Sequence, residues 1–101
     1  MGKGKLVAQC CHGTLNSYKE APNRTVLTSW EWSGQPKVVV KVKSLEELLQ
    51  IKEIAEKLHV PSCLVRDAGR TQIAPGTETV LSVGPDVISK IDEVTGHLKL
   101  L

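Results

Sequence analysis

Two short apolar runs, Ser62-Cys63-Leu64-Val65 and Thr79-Val80-Leu81-Ser82-Val83, are separated by a polar stretch far too long for a tight turn. A hairpin is usually closed by about two to five residues. Here positions 66–77 read Arg-Asp-Ala-Gly-Arg-Thr-Gln-Ile-Ala-Pro-Gly-Thr. Gly69 and the Pro75-Gly76 pair supply turns, because proline presets φ and glycine accepts the positive φ of a type II turn. Between them stand Asp67, Arg70, Thr71 and Gln72: a carboxylate, a guanidinium, a hydroxyl and an amide. Long ordered loops on a rigid sheet are where chemistry tends to sit. Pattern alone leaves two readings open, a site built on this loop or a solvated connection whose Asp and Thr bond to their own backbone.

A chain of 101 residues predicts one domain, 1–101, with a single modest core. There is no phenylalanine, so Leu, Val and Ile must fill that core. No apolar run approaches the roughly 20 residues that span a bilayer, so no membrane association is expected. The opening Met1-Gly2-Lys3-Gly4-Lys5 lacks the apolar centre of a secretory signal. Three cysteines, two adjacent at Cys10-Cys11, do not form a disulfide framework, which predicts a reducing, cytoplasmic location; a mitochondrial one stays open. Residues 1–43 hold seven basic and two acidic side chains, net +5, against six and nine in 44–101, net −3. A basic half suits a polyanionic partner such as RNA.

In chain order, the spacing predicts a first helix over 4–18. Steps of about 100° place Lys5, Gln9, His12 and Asn16 in one stripe about 60° wide. Leu6, Val7, Cys10, Cys11, Thr14, Leu15 and Tyr18 spread over the other side, which is expected to pack on a sheet. The stripe is read either as a functional face or as a plain solvated one. Lys3 and Lys5 oppose the helix dipole, which makes sense if an anion binds there, although exposed lysines at that end cost only a few tenths of a kcal/mol. Asn23 is expected to cap a helix over 24–33, stopped by Gly34 and Pro36. Trp30 and Trp32 are expected to cover the core edge, with stacking on a base as the alternative. The run Lys37-Val38-Val39-Val40-Lys41-Val42-Lys43 reads as a strand covered on both faces at its middle.

Ser44-Leu45-Glu46-Glu47 is a capping box that opens a third helix, ending by about His59 because Pro61 forbids continuation. Leu45, Leu48, Ile51, Ala55 and Leu58 form its buried stripe, and His59 is expected to cap its C-terminus as a cation. Pro85 or Asp86 should start a last helix through about Val94, with Gly96 as C-cap and Leu98 to Leu101 as an apolar tail. Together these elements predict an α/β fold: a mixed β-sheet flanked by helices on its faces, in a single compact domain.

The run Arg66-Asp67-Ala68-Gly69-Arg70-Thr71-Gln72 resembles the signature of the archaeal/eukaryotic-type peptidyl-tRNA hydrolases, the second family of that activity. The likeness extends to Lys3-Gly4-Lys5-Leu6-Val7-Ala8-Gln9-Cys10-Cys11-His12 and to Thr95-Gly96-His97-Leu98-Lys99-Leu100-Leu101, and is weakest across 20–36. It implies hydrolysis of the ester between a peptide and the tRNA 3′ ribose, with peptidyl-tRNA as partner and no cofactor. It further implies catalytic roles for Lys5, Asp67 and Thr71. His12 and Gln9 share the stripe of Lys5 and would line the pocket, while Lys3, Arg70 and Gln72 are candidates for phosphate or ribose contacts. Family members normally begin with an apolar strand that enters the Lys-Gly-Lys helix. Met1 falls inside that motif, so the expectation is an absent strand that leaves part of the sheet unpaired, or a homodimer that fills the gap.

The required chemistry is an activated water, charge stabilisation at the carbonyl oxygen and a grip on a polyanionic leaving group. His12, His59 and His97 lack ligand spacing and the cysteines form no C-x-x-C pair, so no metal is expected. A cysteine nucleophile is not expected either, since Cys10 and Cys11 fall on the predicted packed side and Cys63 inside a strand. The alternatives to an enzyme are the same fold kept as an RNA- or protein-binding module and, more weakly, another esterase. A Lys5–Asp67 ion pair that merely pins helix to loop is the structural counterpart of the catalytic reading.

Overall fold

The computed structural model describes residues 2–65 and 80–101. Its elements run α1 (Lys3–Glu20), α2 (Arg24–Trp32), α3 (Leu45–Lys57), β1 (Ser62–Val65), β2 (Val80–Val83) and α4 (Ile88–Thr95). β1 and β2 pair antiparallel, with Val65 opposite Val80 and Cys63 opposite Ser82. Because side chains alternate along a strand, Cys63, Val65 and Ser82 share one face, and Leu81 and Val83 belong to the other. α1 lies on the first face and α3 with α4 on the second. Helices therefore flank the faces of the sheet as expected of an α/β domain, and among the described residues that sheet is a two-stranded antiparallel pair.

The core sits on the α3–α4 side. Ile51, Ala55, Val60 and Val94 are buried, and Val42, Leu58, Leu81, Val83, Ile91 and Leu98 pack around them. Ile51 and Ala55 are one helical turn apart, so the stripe read from the sequence holds at its centre. Leu45, expected to be buried with them, is exposed in the first turn.

The caps follow the residue chemistry. Asn23 Oδ1 accepts from the Val26 N–H at 3.1 Å. Ser44 Oγ accepts from the Glu47 N–H at 3.1 Å while Glu47 Oε1 accepts from the Lys43 N–H at 2.7 Å, which closes the capping box. The end of α3 is built differently from the expected side-chain cap. His59 has φ +58°, its N–H donates to the Glu56 carbonyl, and the Val60 N–H donates to the Ala55 carbonyl. This is a Schellman turn in which His59 holds the left-handed position that glycine usually takes. Its backbone ends the helix.

Three other expectations are corrected. The run 37–43 is not a strand covered on both faces: only Val40 bridges, antiparallel to Leu100, and Val38 and Val39 are 72% and 44% exposed. The tail at 99–101 pairs with one edge of this run, and the capping box at Ser44 turns the chain away before a longer ladder can form. The last helix begins at Ile88 rather than at Pro85 or Asp86, since Asp86 Oδ1 accepts from the Val87 N–H at 2.7 Å and holds the chain in a turn there. The tail is only partly packed, with Leu98 against the core and Leu100 and Leu101 exposed. Gly84 has φ +105° and is buried, with its N–H donating to the Pro61 carbonyl at 2.7 Å, so glycine is required where β2 turns toward α4.

Candidate active site

α1 begins without a side-chain cap and without an acidic residue in its first turn, which holds Lys3 and Lys5 instead. Its packed side is not the one that apolar residues alone predict. Gln9 is buried at 7% exposure, Gly13 is buried, and Lys5, Leu6, Cys10 and Ser17 are half-buried. Val7, Cys11, Leu15 and Tyr18, expected against the sheet, are exposed. The cause lies in the sheet face that meets the helix. It offers Ser82, Cys63 and Val65, two of them small and polar, and α1 answers with small and polar groups.

Three contacts fix the direction of α1 over the hairpin. The Cys63 thiol donates to Glu20 Oε2 at 2.9 Å. The Ser17 and Ser82 hydroxyls are hydrogen-bonded at 2.6 Å. A Cβ on Gly13 would meet Ser82 Cβ at 3.3 Å and Val65 Cγ2 at 3.4 Å, so helix and strands touch there almost backbone to side chain. From Glu20 back to Gly13, α1 therefore runs from Cys63 toward Val65. Gln9 and Lys5 lie one and two turns further on, up to about 12 Å at 1.5 Å per residue. That carries them toward the connected end of the strand pair, where Val65 and Val80 stand opposite each other and segment 66–79 begins and ends.

The predicted site residues divide accordingly. The structure brings Lys5 and Gln9 to the hairpin side of α1, half-buried and buried. His12 and Lys3 are exposed, as is Asn16, so the four-residue stripe is split between packed and solvent sides. Asp67, Arg70, Thr71 and Gln72 lie outside the described residues. The sequence reading missed Ser17, Ser82 and Gly13, which hold helix to hairpin. Their signal was faint: three small residues, spaced i, i+4 in α1 and set in an otherwise apolar strand in β2.

The thiols are poorly placed for nucleophilic work. Burial pushes the Cys63 thiol above its usual range, and the Glu20 carboxylate that accepts its proton adds to this. Burial, then the neighbouring Cys11, pushes Cys10 up as well. Cys11 lies on the exposed side of α1, not on the packed side as expected. Among the described residues no three His, Cys, Asp or Glu side chains gather as a metal site requires, and no helix is long and apolar enough to cross a membrane.

A groove of about 410 Å³ opens between α1 and α2, lined in part by Cys11, Leu15, Tyr18 and Trp30. Trp30 is held in place there: its Nε1–H donates to the Pro36 carbonyl at 2.9 Å and the Lys37 ammonium lies 5.4 Å from its ring centre. Trp32 does not cover the core edge, being 87% exposed. This groove is on the side of α1 away from Gln9.

The family model described as "Peptidyl-tRNA hydrolase PTH2" matches residues 1–101. The chain is 52% identical over 102 residues to a "Peptidyl-tRNA hydrolase 2, mitochondrial" of Mus musculus, covering 99% of this chain and 56% of that protein. It is 53% identical to a "Probable peptidyl-tRNA hydrolase 2" of Drosophila melanogaster, covering 100% and 55%. It is 48% identical over 101 residues to a "Peptidyl-tRNA hydrolase" of Methanothermobacter thermautotrophicus, covering 100% and 89%. The chain thus spans about half the length of the animal relatives and most of the archaeal one. A match of the family model from end to end, with relatives near 50% identity, places the chain in the PTH2 peptidyl-tRNA hydrolase family.

Proposed function

We propose that this chain hydrolyses the ester of peptidyl-tRNA, releasing peptide and free tRNA for reuse in translation. The observation that supports the reading is the direction of α1, which points Lys5 and Gln9 toward the end of the strand pair from which the segment with Asp67 and Thr71 leaves. Asp67 orients or deprotonates the attacking water. The water oxygen bonds to the ester carbonyl carbon, and the tetrahedral intermediate carries its charge on the former carbonyl oxygen. Lys5 stabilises that charge or keeps Asp67 ionised, which an opposite charge at about 4–6 Å favours. Thr71 hydrogen-bonds the water or the substrate. Collapse breaks the bond to the ribose oxygen, which leaves with the proton that the attacking water gave up to Asp67.

Gln9 and His12 line the pocket in this reading, and Lys3, Arg70 and Gln72 contact phosphate or ribose. The reaction needs no metal, so a chelator leaves the rate unchanged. We place the protein in the cytoplasm, with the mitochondrion as the alternative that the names of mammalian relatives raise. A homodimer is the state to check by light scattering. The deciding experiment is hydrolysis of an N-blocked aminoacyl-tRNA by this chain beside Asp67→Ala. Turnover by the first and a loss of 100-fold or more in the second, with matching circular dichroism, is the expected result. Full activity in Asp67→Ala would sink the mechanism.

A further inference from the structure

We propose that the outward face of the paired segments 39–41 and 99–101 is a phosphate-binding surface that holds RNA backbone through Lys41, Lys99 and Lys43. The proposal rests on the reading of peptidyl-tRNA as substrate, and adds to it a contact surface separate from the residues assigned above. Val40 and Leu100 form an antiparallel bridge; the Lys41 N–H donates to the Lys99 carbonyl at 2.9 Å and the Leu101 N–H to the Val39 carbonyl at 3.1 Å. This register sets Lys41 directly opposite Lys99. Opposed residues share a face, with Cβ atoms about 4.5–5.5 Å apart. Val42 and Leu98 pack on the core, so alternation turns Lys41 and Lys99 outward, and both are exposed.

Lys43, two residues further along, is exposed as well. Glu47, the carboxylate that contacts this residue, is engaged by the Lys43 backbone N–H rather than by its ammonium. The ion pairs among the described residues lie elsewhere, between Lys52 and Glu56 and between Lys57 and Glu53. Like charges directly opposite each other across a strand pair are destabilising. A phosphate seated between Lys41 and Lys99 removes that repulsion, and Lys43 extends the row along the backbone. Lysines on a strand edge also guard against edge-to-edge pairing, and that role alone would leave RNA binding untouched. Two cations on paired extended backbone with a third at the bend that follows suit a nucleic-acid strand better than a lipid surface.

The test is the salt dependence of binding to deacylated tRNA between 50 and 200 mM salt. Each phosphate contact contributes a slope of about 0.7–0.9 in log K against log salt. Lys41→Gln with Lys99→Gln should flatten the slope by about 1.4–1.8 and raise KM on the aminoacyl-tRNA substrate. Lys43→Gln should flatten it by about half as much, and the paired Lys→Arg changes should retain it. An unchanged slope in the double Gln variant overturns the proposal. So does a loss of binding to phosphatidylserine vesicles with tRNA binding intact. A flattened slope in a chain that shows no hydrolysis supports the surface and counts against the enzymatic reading alone. Hydrolysis with an unchanged slope does the reverse.

Discussion

Replacing His59 by glycine should stabilise the protein, and the reason lies in its backbone rather than its ring. His59 sits at φ +58°, and the N–H groups of His59 and Val60 close the end of α3 on Glu56 and Ala55. A left-handed conformation costs an L-residue about 1–2 kcal/mol because Cβ crowds the following carbonyl oxygen. Glycine removes that crowding, but also frees the unfolded chain, which costs about 0.4–1 kcal/mol. The side chain is exposed, so little packing is lost. The difference is a gain of about 0.5–1 kcal/mol, or a rise in Tm of about 2–8 °C for a domain of this size. Urea unfolding at fixed pH should show a higher midpoint with an unchanged m value. His59→Ala keeps the Cβ and should change little. A loss of stability in His59→Gly equal to that of a glycine placed mid-helix would refute the Schellman assignment, and a gain in His59→Ala as large as in His59→Gly would show that the ring was the source of strain.

Two further outcomes follow from burial. Val94 is fully enclosed between α3 and the sheet, so Val94→Ala removes two buried methyl groups, about 1.6 kcal/mol of transfer free energy, and leaves a small cavity; chemical denaturation should show a loss of about 2–3 kcal/mol. Cys10 and Cys63 hold their protons more tightly when folded, so their alkylation should inflect at higher pH than that of a free thiol. The linkage has a definite sign. As pH rises from the ordinary thiol range, the unfolded chain releases protons that the native state keeps, and stability falls through that window and not below it. A stability curve that climbs over the same range would contradict the burial of these thiols.

The legible parts of the fold were those governed by local chemistry. Asn23, the Ser44–Glu47 box and the Ile51–Ala55 stripe act on neighbours three or four residues away, and the sequence alone places them. The hairpin strands were legible because turn-forming residues bracket short apolar runs. α1 was misread because apolar periodicity assumes an apolar partner. Ser82 and Cys63 present a small, polar surface, so the helix rolls until Gly13 faces down and Val7, Leu15 and Tyr18 face out. The segment at 37–43 was misread for a related reason. Three consecutive valines state a preference for burial, but pairing depends on what lies beside them, and 99–101 covers one edge of one short stretch. Of the candidate site, the residue types and their order were readable. The rotation that buries Gln9 and exposes His12 depends on Ser17 and Ser82, residues 65 positions apart.

That separation has a kinetic consequence. The buried cluster of Ile51, Ala55, Val60 and Val94 is drawn from consecutive elements, α3 through α4, so it can close without any residue N-terminal of α3. The contacts that seat α1 must close loops of 43 residues, from Glu20 to Cys63, and of 65, from Ser17 to Ser82. Loop-closure entropy rises with the logarithm of length, and distant contacts form only after that cost has been met. Because none of the buried cluster's members belongs to α1, the C-terminal half can collapse around its own nucleus while α1 is still undocked. On this order of events Lys5 and Gln9 reach the hairpin last, and a nascent chain acquires its fold before it acquires its site.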